Sequence, residues 1–187
     1  MPIHLPADPP VVELGVQAVL WRVHRREYDA LWFGRTGRYR FDAPGGEYGV
    51  CYFGASLGVA ILETVVRGKR VPVIPRADLE ARNGTTAAPT AALRMLQLEG
   101  SGLPSFGLSA HEVMGPDYTD CRDLALRAWR EHPELDGIQF RSRWDNSLCW
   151  AVFDRAETKV AVLGTQWLGD PTVVVPALRP YRHVAVI

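Results

Sequence analysis

The chain is predicted to fold as a single α+β domain, a mixed β-sheet core with flanking helices. Three observations carry this expectation. Strand-like runs outnumber helical ones, and they do not alternate with helices as parallel βαβ units would. Only two segments, one in the first half and one beyond Tyr118, repeat their apolar residues at helical spacing. The 187 residues show no repeat, low-complexity tract or linker at which to divide them, a length suited to one core over residues 1–187.

Element by element, "VQAVLWRV" (Val16–Val23) reads as a buried strand that ends near Arg22, after a Pro-rich lead. "HRREYDALWFGRTGRYR" follows as a polar, arginine-rich connection. A turn at Pro44-Gly45-Gly46 feeds a strand from Glu47 to Phe53, where period-two alternation puts Tyr48, Val50 and Tyr52 on one face. A helix is expected from Leu57 to Arg67, with Ser56 as N-cap and Gly68 as the left-handed terminator. "RVPVIP" reads as a short strand and "RNGTTAAPT" as a loop. "TDCRDLALRAWREHPEL" is a second helix, with Leu124, Ala128 and Trp129 on its apolar face and Pro133 ending it. The last third reads as strands: "DGIQFRS", "SLCWAVFD", "KVAVLG", "TVVVPAL" and "RHVAVI".

Composition excludes several classes. Apolar residues are 47% and charged residues 22%, which is globular rather than disordered. A formal net charge of zero lacks the basic footprint of a nucleic-acid binder, so no direct nucleic-acid partner is expected. The amino terminus has no signal-peptide pattern, and no apolar run approaches the ~20 residues that span a bilayer. No membrane association is therefore expected. Cys51, Cys121 and Cys149 are odd in number and far apart, which points to a reducing, cytoplasmic setting rather than a disulfide framework. "HEVMG" (111–115) opens like a zinc-protease helix but lacks the second histidine, and no metal site is assigned.

Two residues compete for the chemistry of "CYFGASLGVAILE". Gly54-Ala55-Ser56-Leu57-Gly58 matches the nucleophile elbow Gly-x-Ser-x-Gly. Asp154 or Asp170 with His183 would have to complete a triad, yet the chain after Ser56 lacks the strand–helix repeats of that fold. Ser56 is better read as a helix cap, with the flanking glycines relieving crowding. Glu63 is different: it is the single acid on a helix that is apolar on nearly every face. An ionised carboxylate there is costly unless paired or used. An i,i+4 pair with Arg67 is the bland alternative, worth ~0.2–0.5 kcal/mol on an exposed face. Arg22, Arg40 and Tyr52 complete a set with Glu63: two guanidinium forks for a diphosphate, an aromatic face for a flat heterocycle, and an acid for a developing positive charge.

The blocks "WRV" (Trp21–Val23), "GRYRFD" (Gly37–Asp42), "GVCYFGAS" (Gly49–Ser56), "AILETV" (Ala60–Val65) and "DGIQFRSR" (Asp136–Arg143) occur in an order that resembles the RES domain. The resemblance spans about Val16 to Ala156. It implies a fold similar to ADP-ribosyltransferase toxins and an enzyme that consumes NAD⁺ by phosphorolysis or hydrolysis. It also implies a bacterial toxin paired with an Xre-type helix-turn-helix antitoxin. Carried onto this chain, the family's arginine falls on Arg22, its glutamate on Glu63 and its serine on Ser142, as the catalytic set. Arg40 and Tyr52 fall among substrate-binding positions, and Asn146 is added as a possible ligand for an amide or ribose, or equally a turn residue. Where the family motif has Asn, this chain has Asp42, an extra negative charge near the expected diphosphate. NAD⁺ is then substrate rather than bound cofactor, with water or inorganic phosphate as acceptor. Protein ADP-ribosylation and a noncatalytic nucleotide-binding module are the alternatives.

Overall fold

The computed structural model describes residues 4–66 and 73–187. The expected class holds: one mixed domain is built on an eight-stranded, mostly antiparallel sheet. Its strands are β1 (Val11–Leu14), β2 (Leu20–Arg25), β3 (Val50–Gly54), β5 (Arg82–Pro89), β6 (Leu93–Gln97), β7 (Gly137–Arg141), β8 (Leu148–Phe153) and β9 (Val160–Trp167). Across the sheet the order is β1-β6-β7-β8-β3-β2-β5-β9, and only β6 and β7 pair in parallel. β4 (Val73–Ile74) and β10 (Ala185–Val186) form a separate parallel pair.

Alternation along β3 and β8 explains why the sheet centre is buried on both faces. Val50 and Tyr52, with Cys149, Ala151 and Phe153 across from them, face one core cluster. Cys51, Phe53, Trp150 and Val152 face another. Residues two apart share a face of a pleated strand, so a continuous apolar run such as "LCWAVF" can only be a strand covered on both sides. The helix α4 (Thr119–Glu131) closes the first face with Cys121, Leu124, Ala125 and Ala128, a three-and-four spacing that keeps one stripe inward.

The helix expected from Leu57 is present but is not uniform. α1 (Leu57–Ile61) gives way to a π-helical turn over Leu62–Val66 that carries Glu63. Arg67 and Gly68, named above as ion-pair partner and terminator, lie outside the described residues. Ser56 caps α1: its backbone is extended (φ −147°) and its hydroxyl accepts from the Val59 N–H at 3.2 Å. Both flanking glycines are required by space. A β-carbon on Gly58 would sit 2.4 Å from the Ala177 carbonyl oxygen, and one on Gly54 would sit 3.0 Å from Val59 Cγ1.

Several boundaries and two assignments differ from expectation. β2 begins at Leu20 and continues to Arg25, so Arg22 lies inside the strand rather than at its end. β3 begins at Val50, three residues later than expected. "RNGTTAAP", expected as a loop, is β5, paired along its length with β2 and β9. Pairing on both sides overrides the weak propensity of Asn, Gly and Ala, and Pro89 sits at the strand's end. "TVVVPAL", expected as a strand, lies in α5 (Pro171–Leu178). Its start signal was visible: Asp170 accepts from the Thr172 N–H at 2.8 Å and Pro171 occupies the first turn. β6, the short helices α2 (Arg76–Glu80) and α3 (Ala110–Met114), and the 3₁₀ turns at Gly100–Phe106 and Asp154–Lys159 have no counterpart in the sequence reading.

Candidate active site

β3 runs along the floor of a cleft of about 570 Å³. Arg22, Arg40, Tyr52 and Glu63 all line it, so four of the six residues singled out in the sequence converge on one cavity. Ser142 is at the same end of β3 but behind the wall, and Asn146 faces elsewhere.

Glu63 comes from the π-helical turn, and half-burial leaves its carboxylate open to the cleft. Widening one turn shifts the side chains around the axis, a device that recurs at functional sites. The Ser142 hydroxyl, only 1% exposed, donates to Glu63 Oε1 at 2.7 Å. The Ser142 Oγ accepts from the Trp144 N–H at 3.2 Å, which leaves the serine proton for the carboxylate. Ser142 therefore orients Glu63; it is not among the residues lining the cleft. The turn that holds it is closed by Asn146 in the left-handed region (φ 62°), whose N–H donates to the Ser142 carbonyl at 3.1 Å. Asn146 is exposed and lines a different, smaller depression beside Glu99 and Arg141, away from the cleft. Its place is that of a turn residue.

The two arginines differ in support. An Arg22 guanidinium nitrogen donates to the Cys51 thiol sulfur, while its Nε is buried without a hydrogen-bond partner among the described residues. Burial pushes the Cys51 thiol up to about 11 despite that guanidinium, so the sulfur stays protonated and serves as acceptor. Arg40 is 4% exposed and enclosed by aromatic rings, with its carbon centre 5.3 Å from the Phe140 ring, 5.6 Å from Tyr118 and 6.0 Å from Phe41. Its Nε and Nη1 are buried with no hydrogen-bond partner among the described residues. Cation–π contact offsets part of that burial, but unused charged donors in a low-dielectric wall remain costly. An anion in the cleft would satisfy them.

Asp42 is held fast by its own loop. It is 1% exposed, and its carboxylate accepts from Thr36 Oγ1 (2.8 Å), the Arg38 and Tyr39 N–H groups (3.0 and 3.1 Å) and the Tyr52 hydroxyl (2.9 Å). Four donors tie this carboxylate into the loop that presents Arg40. The Tyr52 hydroxyl also accepts from the Phe41 N–H at 2.9 Å, which fixes the ring as a wall of the cleft. Burial, and next the adjacent Asp42 charge, hold the Tyr52 phenol well above its ordinary range, so it stays neutral.

Sequence reasoning missed the aromatic enclosure of Arg40, because Tyr118 and Phe140 come from distant segments with no local signal. It also missed His24, which lines the cleft two residues after Arg22. Its Nδ1 faces the Arg25 and Tyr28 carbonyl oxygens at 3.0 and 3.1 Å and its Nε2 faces Thr85 Oγ1 at 2.9 Å. Two carbonyls require a proton on Nδ1, so the neutral ring accepts from Thr85. Burial first, and then the Arg22 charge, lower its pKa below the ordinary 6.5. Cys121 and Cys149 are buried like Cys51, and burial raises both thiols, which disfavours the nucleophilic thiolate. Among the described residues no three His, Cys, Asp or Glu side chains gather as metal ligands, and no helix is long and apolar enough to cross a membrane.

The fold and the cleft define a class: an α+β protein whose cavity pairs a tethered carboxylate with buried guanidinium groups and aromatic walls, suited to an anionic ligand with flat rings. The family follows. The chain belongs to the RES domain family, whose model matches residues 19–171. It is similar in structure to a chain of the M. tuberculosis MbcT–MbcA toxin–antitoxin complex, with a TM-score of 0.71 at 18% identity, covering 88% of this chain and 91% of that one. Comparison with curated proteins returned no match.

Proposed function

We propose that this protein is the toxin of a toxin–antitoxin pair and that it cleaves the nicotinamide–ribose bond of NAD⁺. The observation that carries the reading is a serine-tethered carboxylate, Glu63, in one cleft with the buried donors of Arg40 that find no hydrogen-bond partner among the described residues. Membership of the RES family and the likeness to a toxin–antitoxin structure support it.

The diphosphate of NAD⁺ supplies the acceptors that Arg40 and the Nε of Arg22 lack. The Tyr52 ring offers a flat wall for nicotinamide. Nicotinamide is cationic while bonded to ribose, so its departure needs no strong general acid. The C1′–N bond breaks with its electron pair leaving on the nicotinamide, which becomes neutral, and the ribose gains oxocarbenium character. Glu63 faces that charge, held in place by Ser142, and pre-oriented charge of this kind costs no reorganisation during the reaction. Water or inorganic phosphate then bonds to C1′, giving ADP-ribose with release of a proton, or its 1-phosphate. The antitoxin would be an Xre-type helix-turn-helix protein that blocks the cleft. The test is incubation of purified protein with NAD⁺, with and without phosphate, and identification of products by NMR. Free nicotinamide with ADP-ribose or its phosphate ester is expected; intact NAD⁺ after prolonged incubation would refute the reading.

A further inference from the structure

One end of the cleft is not used by the chemistry above. Glu63 and Ser142 gather where β3 ends: Gly54 pairs with Cys149, and the Ala55 N–H donates to the Leu148 carbonyl at 3.0 Å. From the middle of the strand the Tyr52 hydroxyl accepts from the Phe41 N–H at 2.9 Å, and the neighbouring Arg40 places its carbon centre 5.3 Å from the Phe140 ring. At the other end Val50 exchanges two hydrogen bonds with Gly34, at 2.9 and 3.0 Å. From Val50 to Gly54 the floor runs for about 13 Å at ~3.3 Å per residue. Between β2 and Gly34 a loop brings Tyr28 and Trp32 to the cleft.

These two rings are stacked on each other, with centroids 5.7 Å apart and planes 23° from parallel, yet they are 48% and 50% exposed. Large aromatics left half in water beside a functional cavity need a reason, since burying them would be favourable. Their loop is not slack. The His24 ring bonds the Tyr28 carbonyl at 3.1 Å, the Trp32 N–H donates to the Asp29 carbonyl at 3.2 Å, and the Gly34–Val50 pair closes the far side. A fixed aromatic platform with accessible surface is how proteins take up a nucleobase without reading its edges.

Resting on the reading given under Proposed function, we propose that the Tyr28–Trp32 pair is the seat of the second heterocycle of the dinucleotide, the adenine of NAD⁺. Both arginines line the same cleft as this pair and would take the diphosphate that joins the two nucleosides. Holding the remote base would add binding energy to substrate and transition state alike, drawn from a part of the substrate that does not react.

The experiment uses AMP, which carries only the adenine half, and nicotinamide mononucleotide, which carries only the other. Calorimetric titration of the wild type, Trp32→Ala and Trp32→Phe should show AMP binding weakened about tenfold in Trp32→Ala and largely kept in Trp32→Phe. Nicotinamide mononucleotide should bind all three alike. Against NAD⁺, Trp32→Ala should raise KM by a similar factor, with the loss confined to KM. AMP that binds wild type and Trp32→Ala equally, or fails to bind the wild type, overturns the assignment whatever the turnover. Wild type that binds AMP through Trp32 but releases no nicotinamide from NAD⁺ would refute the cleavage reading and leave the nucleobase seat standing.

Discussion

Arg40 is the residue whose environment asks most for a ligand. A guanidinium that is 4% exposed, with two nitrogens lacking hydrogen-bond partners among the described residues, is held by aromatic rings. Removing such a charge from a wall of apolar side chains should stabilise the empty protein. Arg40→Met keeps length and removes the charge, so a gain of about 1–2 kcal/mol in urea unfolding is expected, together with loss of NAD⁺ binding. A variant destabilised by that amount would mean the guanidinium is structurally paired. At this scale the sequence was informative where chemistry and surroundings conflict. Glu63 stands out as one acid on an apolar helix, and its place in the cleft could be anticipated. Ser142 could not be chosen by such reasoning, since a serine at a strand end has many uses and its distinction is a 2.7 Å bond to a residue 79 positions away. Asp42 brings a negative charge beside Tyr52, and four donors from its own loop and from Tyr52 also make it a fastening.

At the scale of elements, the segment from Ser56 to Val66 converts packing into position. Its cap was legible from the residue type, and so was the crowding that the glycines relieve. The π-helical turn was not, because it arises from how α1 docks and leaves no local pattern. Two substitutions separate the contributions. Ser56→Ala removes one cap bond, and thermal or urea unfolding should show a loss of ~1 kcal/mol with turnover kept. Gly58→Ala drives a methyl group into the Ala177 carbonyl, 2.4 Å from where it would sit. Overpacking of this kind costs about 1–3 kcal/mol, and because α1 must shift away from α5, activity should fall with stability. A folded Ser56→Ala protein without activity would restore the serine as a nucleophile. Elements misread from sequence share a cause: β5 and α5 follow their partners and their first-turn chemistry more than their mean propensity.

For the whole molecule, the sheet order brings together β2, β3 and the turn after β7, so residues from 22 to 142 meet in one place. The class of the fold was legible because strand runs outnumber helical runs and do not alternate with them; the strand order, set by pairings across distant segments, was not. A cleft that drains NAD⁺ would harm its own cell, and the proposed antitoxin would find a receptor in Arg40, whose Nε and Nη1 have no hydrogen-bond partner among the described residues. A carboxylate from that partner could occupy it, so inhibition should compete with NAD⁺ and weaken in Arg40→Ala. Inhibition indifferent to NAD⁺ concentration would place the partner elsewhere. The claim that joins all scales is that this cleft holds NAD⁺ and that Glu63 faces the reacting carbon. Its most direct test is nicotinamide release in a single turnover by wild type and Glu63→Gln, each first shown to bind NAD⁺ by calorimetry. The amide is nearly isosteric, so binding should persist while the rate falls by ~10²–10³. Release at the wild-type rate from a Glu63→Gln protein that binds NAD⁺ would contradict the assignment.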